Sequence, residues 1–276
     1  MRLGSGVIWG GAMELFHSLQ TLPSAIRRQV LGTTASAMGR RKDGPSMGKD
    51  NQPKHRQIAR DLRRRAPVKE ASERLLIVCE GSKTEPNYLE EIRKEYRLAS
   101  TTVQVQPSAF GTGPLQVVHY AEHLFLKGDP NKNIESRDFD RVYAVFDRDD
   151  HATYHAALSK MASLNERGLQ NNEKRRVSFE PITSVPCFEL WLLLHFEDVR
   201  APIERKELYE RLQHHLPEYA KGQTDCWATT RMKLPVALER AKLRQSESTA
   251  YDGVQPYTEM DRLVKKLMGL AQRYSS

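Results

Sequence analysis

Cysteine is scarce: Cys79, Cys187 and Cys226 are the only three in 276 residues, and no two form a Cys-x-x-Cys pair. That excludes a disulfide framework and a thiolate zinc site, and leaves three small buried hydrophobes as the plain reading. Long apolar runs are missing too. Nothing approaches the roughly 18 to 20 residues that cross a bilayer. The apolar stretch from Gly6 to Ala12 lacks the layout of a signal peptide. Leu190-Trp191-Leu192-Leu193-Leu194 is short enough to read as a core helix. These absences predict an intracellular, cytoplasmic chain without a membrane partner. No Lys-Ser/Thr follows Gly111-Thr112-Gly113-Pro114, so a turn before a helix is expected there rather than a P-loop, and the chain is not expected to be an ATPase itself. No internal repeat is visible.

Charge is present but unevenly placed. The formal net charge is +8, yet residues 1–70 carry 14 Lys/Arg against 5 Asp/Glu, and residues 71–276 carry 29 against 30. A phosphate-attracting surface therefore comes mainly from the first 70 residues. Residues 1–70 read as a basic arm, disordered or partly helical. Met38 and Met47 are alternative starts, which would make 1–46 a mis-assigned leader. The cluster Arg63-Arg64-Arg65, with Lys83 further on, is the expected nucleic-acid contact. With 39% hydrophobic residues the remainder can bury one good core. It divides into an α/β domain over 71–200 and a helical extension over 201–276 packed on it.

Order begins at Leu75-Leu76-Ile77-Val78-Cys79, a continuous apolar run expected of a strand buried on both faces of a parallel sheet. Thr84-Glu85-Pro86 then opens a helix to about Tyr96, with Thr84 as its N-cap. Strands are predicted at 102–106, at 142–146 ending in Asp147, and at 176–182. Helices are predicted at 115–127 and 153–167, and beyond Pro186 at 187–196, 205–214, 233–244 and 259–274. Strands alternating with helices imply right-handed crossovers and a small, mostly parallel sheet covered on both faces.

Ligands of such sheets gather outside the carboxyl ends of the strands. Glu80 ends the first strand, and Asp147-Arg148-Asp149-Asp150-His151 ends the third. Magnesium takes oxygen ligands and keeps several waters, so carboxylates from two segments on one rim suit phosphate chemistry. Gly81 lets backbone or phosphate come close to Glu80. An acid after a buried strand also serves as an ordinary helix cap, and that alternative stays open for each acid taken singly.

A glutamate after the first strand and Asp-x-Asp after the third, in an alternating α/β chain, resembles the Toprim domain of topoisomerases, bacterial primases and certain nucleases. More narrowly, LLIVCEGSKTEPNYLEEI, YAVFDRDDH and SVPCFELWLLLHFED resemble the RloB-like family, related to abortive-infection proteins of the AbiL type. The resemblance implies a Toprim-like fold, Mg²⁺ (with Mn²⁺ able to substitute), nuclease action on nucleic acid in antiviral defence, and an ATPase partner encoded nearby. Carried over by motif, Glu80 is acid/base and metal ligand, and Asp147 and Asp149 are catalytic metal ligands. Glu85, Asp150 and Glu189 stand around them, Asp150 as a further metal ligand and Glu189 as a catalytic acid. Lys221 is the candidate lysine for the phosphate in the transition state.

Other readings are weaker. His119/His123 and His151/His155 have i, i+4 spacing but no third ligand for zinc, although His151 can touch substrate. A phosphatase would place its nucleophilic Asp after the first strand, not the third. Glu189 can also be a solvated acid at a helix start. The competing function is a non-catalytic, metal-binding interaction subunit captured by an ATPase.

Overall fold

The computed structural model describes residues 73–252 and 256–275. Arg63, Arg64 and Arg65, and with them the expected basic arm, lie outside the described residues. Strands β1 (Leu75–Cys79), β2 (Val103–Pro107), β3 (Arg141–Asp147), β4 (Ser178–Val185) and β5 (Tyr257–Thr258) form one sheet in the order β2-β1-β3-β4-β5. The first four are parallel and β5 is antiparallel to β4. Helices α1 (Thr84–Glu95), α2 (Pro114–Lys127) and α3 (Tyr154–Glu166) are the crossovers. They are followed by α4 (Glu189–Leu194), α5 (Arg205–His215), α6 (Cys226–Thr230), α7 (Leu234–Glu247) and α8 (Met260–Ser275).

The two-residue period of a strand explains how one apolar run serves two cores. Leu75, Ile77 and Cys79 of β1, with Tyr143 and Val145 of β3, face one core, which receives Tyr88, Leu89 and Ile92 of α1 and the apolar stripe Leu263, Val264 and Leu267 of α8. Leu76 and Val78, with Val142, Ala144 and Phe146, face the other, filled by α2 and α3. Helix α5 puts Leu208 and Leu212 into the same core as α1, so the C-terminal helices share the main core of the sheet. Truncating one of these fully buried side chains, Ile77→Ala for instance, costs about 2–5 kcal/mol. The three cysteines are free and buried, as expected.

Two departures from the sequence reading have physical causes. The fourth strand runs on to Val185, past its apolar part, because Thr183 and Ser184 are satisfied although buried. The Thr183 N–H and hydroxyl both donate to Glu259 Oε2 at 3.1 Å, and Ser184 Oγ lies 3.0 Å from Thr258 Oγ1. Strand β5, which supplies that second hydroxyl, is too short to leave a sequence period. Thr84 does not cap α1. The helix begins at Thr84 itself, after Lys83, and the Thr84 hydroxyl accepts the N–H of Gly222 at 2.9 Å.

Candidate functional site

In this strand order the chain leaves β1 toward β2 on one side and returns to β3 on the other, so the connections diverge between β1 and β3. Such a switch point opens a crevice at the carboxyl edge. The register Cys79↔Val145 brings Glu80, one residue further on, and Asp147, two residues further on, onto that edge together. Glu80 Oε2 accepts the Asp147 N–H at 2.9 Å, and Glu80 Oε1 lies 3.2 Å from His151 Nε2. The turn beyond Asp147 is tied to β4: Arg148 N–H donates to Ser184 O at 2.9 Å and Asp149 N–H to Pro186 O at 3.0 Å. Asp149 adopts φ 34°, a left-handed conformation that Asp tolerates better than most residues.

Two more carboxylates join them. Glu85, in the first turn of α1, is 6% exposed, and Glu189, first residue of α4, is 2% exposed. Burial corrects the solvated alternative for Glu189. Its Oε1 accepts the hydroxyls of Tyr209 (2.5 Å) from α5 and Tyr219 (3.1 Å) from the following loop. Gly81 has a different part from the one expected. A Cβ there would stand 2.8 Å from Glu85 Cδ and closer still to Oε2, so the missing side chain makes room for the Glu85 carboxylate. That Oε2 is buried without a hydrogen-bond partner among the described residues.

Crowding shows in the acidities. Burial, followed by the charges of Glu189 and Glu80, pushes the Glu85 carboxyl up to about 7, against the pull of Lys221. Burial, then Glu85, Glu80 and Glu189, holds Asp147 well above the usual carboxylate range. Glu80 is raised by burial, which outweighs the Asp147 N–H and His151. Asp149 is raised by burial too, although it forms an ion pair with Arg205 of α5.

Of the residues expected at the site, Glu80, Glu85, Asp147 and Glu189 form one electrostatically coupled set, and the Lys221 ammonium acts on both Glu85 and Asp149. Asp149 stands slightly apart through its pairing with Arg205, and Asp150 is exposed. Lys83 is exposed, with its side chain against Gly222. Sequence reading missed Arg205, Tyr209 and Tyr219. The only available signal was the i, i+4 spacing of Arg205 and Tyr209, which gives both one helix face.

Among the described residues no group of three or more His, Cys, Asp or Glu is spaced to hold a metal ion as it stands. The donor chemistry nevertheless fits a hard divalent cation: the carboxylates offer oxygen only, they repel one another, and Glu85 Oε2 is buried and unpartnered.

The model of the family described as RloB-like protein matches residues 75–267, more than half of the chain. This chain belongs to the RloB-like family. Comparisons of the RloB-like chain with curated proteins and with solved structures find no match. Within the matched residues of this RloB-like protein fall all four clustered acids, Lys221 and both tyrosines. No helix among its described residues is long and apolar enough to cross a membrane.

Proposed function

We propose that this RloB-like protein is a Mg²⁺-dependent phosphodiesterase of the Toprim kind, with Mn²⁺ able to substitute, that cuts nucleic acid in the cytoplasm as a phage-defence effector working with an ATPase partner. The observation that carries the reading is the gathering of Glu80, Glu85, Asp147 and Glu189 at the switch point between β1 and β3, a place where ligands of open α/β sheets bind.

Asp147, with Glu80, Glu85 or Glu189, would hold the ion; Asp149 could join once exchanged from Arg205. Bound there, Mg²⁺ supplies charge neutralisation at phosphoryl oxygens and a more acidic water. The chain's own groups do the rest. Glu80 has its carboxylate oriented by the Asp147 N–H and by His151, and its pKa, raised by burial, suits a group that takes up and returns a proton. Tyr209 and Tyr219 fix Glu189 by donating to one of its oxygens. Lys221, whose charge acts on Glu85 and Asp149, would be the cation for phosphate charge developing in the transition state.

A second reading, the non-catalytic, metal-binding interaction subunit, draws support from the protein partners these acids already have: Glu80 accepts the Asp147 N–H, Asp149 pairs with Arg205, and Glu189 accepts two tyrosine hydroxyls. The test is Mg²⁺- and Mn²⁺-dependent cleavage of plasmid DNA and total tRNA, with and without the ATPase, comparing wild type, Glu80→Gln and Asp147→Asn, each also melted. The enzyme reading expects metal-dependent cutting abolished by both substitutions. Because Asp147 is a crowded, buried acid, Asp147→Asn should melt no lower than wild type at pH 8. No cutting under any condition, together with melting indifferent to either metal, transfers the conclusion to the interaction subunit.

A further inference from the structure

A cavity of about 870 Å³ opens beside the carboxylates, sharing Asp149 and His151 with them. Its volume lies within the range of small-molecule sites, about 300–1,000 Å³. Three kinds of surface meet in it. One wall is apolar: Val185 and Pro186 at the end of β4, Ile203 before α5, and Pro256 before β5. Arg148 and Lys206 supply positive charge. Among the described residues Arg148 makes no side-chain hydrogen bond or ion pair, and Lys206 has only a 3.9 Å pair with the exposed Glu210. Asp150 and Glu204 add exposed carboxylates that have no partner among the described residues.

We propose that this cavity takes one unstacked nucleotide next to the scissile phosphate, which makes the substrate single-stranded or locally opened nucleic acid rather than an intact duplex. The inference rests on the nuclease reading above. Each part of a nucleotide finds its complement. The base lies on the proline and aliphatic wall, the neighbouring phosphates meet Arg148 and Lys206, and sugar or base N–H and O–H groups donate to Asp150 and Glu204. A base stacked in a duplex cannot enter a concave site beside the reacting phosphate, and extruding it carries an unpairing cost that a free strand does not have.

The test is fluorescence anisotropy of the full chain with a short labelled single strand and with the duplex of the same sequence. Ca²⁺ replaces Mg²⁺ to spare the probe, and wild type is compared with Lys206→Glu, whose side chain is 88% exposed and outside the core. The single strand should bind about tenfold or more tightly than the duplex, the fold-change that extruding one paired base imposes. Lys206→Glu should weaken the single strand and reduce the slope of log K against log salt by about 0.7, the loss of one phosphate contact. Equal or tighter binding of the duplex, or a Lys206→Glu variant with unchanged affinity and slope, overturns the inference and leaves the nuclease reading standing. Failure to bind either probe, with no cleavage, overturns both.

Discussion

Substituting Gly81 by alanine adds a single methyl group where the Glu85 carboxylate now sits. The new Cβ would be 2.8 Å from Glu85 Cδ and 2.9 Å from Oε1, whereas ordinary contact begins at 3.4 Å. The obstacle is the far end of a flexible side chain, and the backbone of Gly81 is not in the left-handed region, so the carboxylate moves rather than the strand. An off-rotamer glutamate costs about 0.5–1.5 kcal/mol. In a domain of this size that is a melting shift of about 1–6 °C, reduced further because Glu85 leaves a site where its charge is disfavoured. Function should respond far more strongly, since displacing a site group by about 1 Å can lower a rate about 100-fold. The assay is the metal-dependent cleavage rate beside the melting curve, with and without Mg²⁺. Gly81→Ala should stay folded, lose most of its activity and show a smaller Mg²⁺-induced melting shift. Adding Glu85→Ala should lower activity little further, because both changes act through one carboxylate. Wild-type cleavage and an undiminished metal response from a well-folded Gly81→Ala protein would refute the role given to Glu85.

Further outcomes follow from other buried groups. His195 is 2% exposed, its Nδ1 lies 2.9 Å from Trp191 O, and burial lowers it to about 4, with Arg240 adding to the effect. The folded state therefore refuses a proton that the unfolded chain accepts below about pH 6.5, so stability is intact above that pH and falls by about 3 kcal/mol on acidification to pH 4. Denaturant titrations should show His195→Phe losing this part of the pH dependence, and parallel profiles would count against it. Tyr209→Phe and Tyr219→Phe each remove a donor from the buried Glu189 oxygen and should cost about 1–3 kcal/mol, with the double variant costing more than the sum, because each single variant leaves that oxygen one donor and the double leaves it none. Trp191→Phe leaves the Tyr88 hydroxyl without its 2.8 Å indole donor and should lower chemical stability by about 1–3 kcal/mol without altering metal-induced melting shifts.

The sheet was largely legible because β1 and β3 are apolar on both faces and end abruptly in acids, a pattern that locates the carboxyl edge without reference to any neighbour. Glu80 and Asp147 could be placed there because parallel strands carry their ends to one rim. The rest depended on contacts distant in sequence. Strand β5 is two residues long, and the end of β4 is polar, so neither leaves a period. Tyr209 and Tyr219 are ordinary amphipathic residues until Glu189 is found buried between them. The hydroxyl of Thr84 fitted a local cap equally well, but its partner lies at Gly222.

That clasp has a consequence for biosynthesis. Gly222 adopts φ +89° and is held through both ends of its peptide: its N–H binds Thr84, and its carbonyl accepts Asn87 Nδ2 at 3.2 Å. The acids of the first and third strands leave the ribosome long before this loop. Arg205, Tyr209, Tyr219 and Lys221 arrive together, only when the chain has grown to the clasp. A nascent or prematurely halted chain thus displays the carboxylates without the groups that orient and balance them. Translation order itself keeps the site unfinished until most of the polypeptide exists.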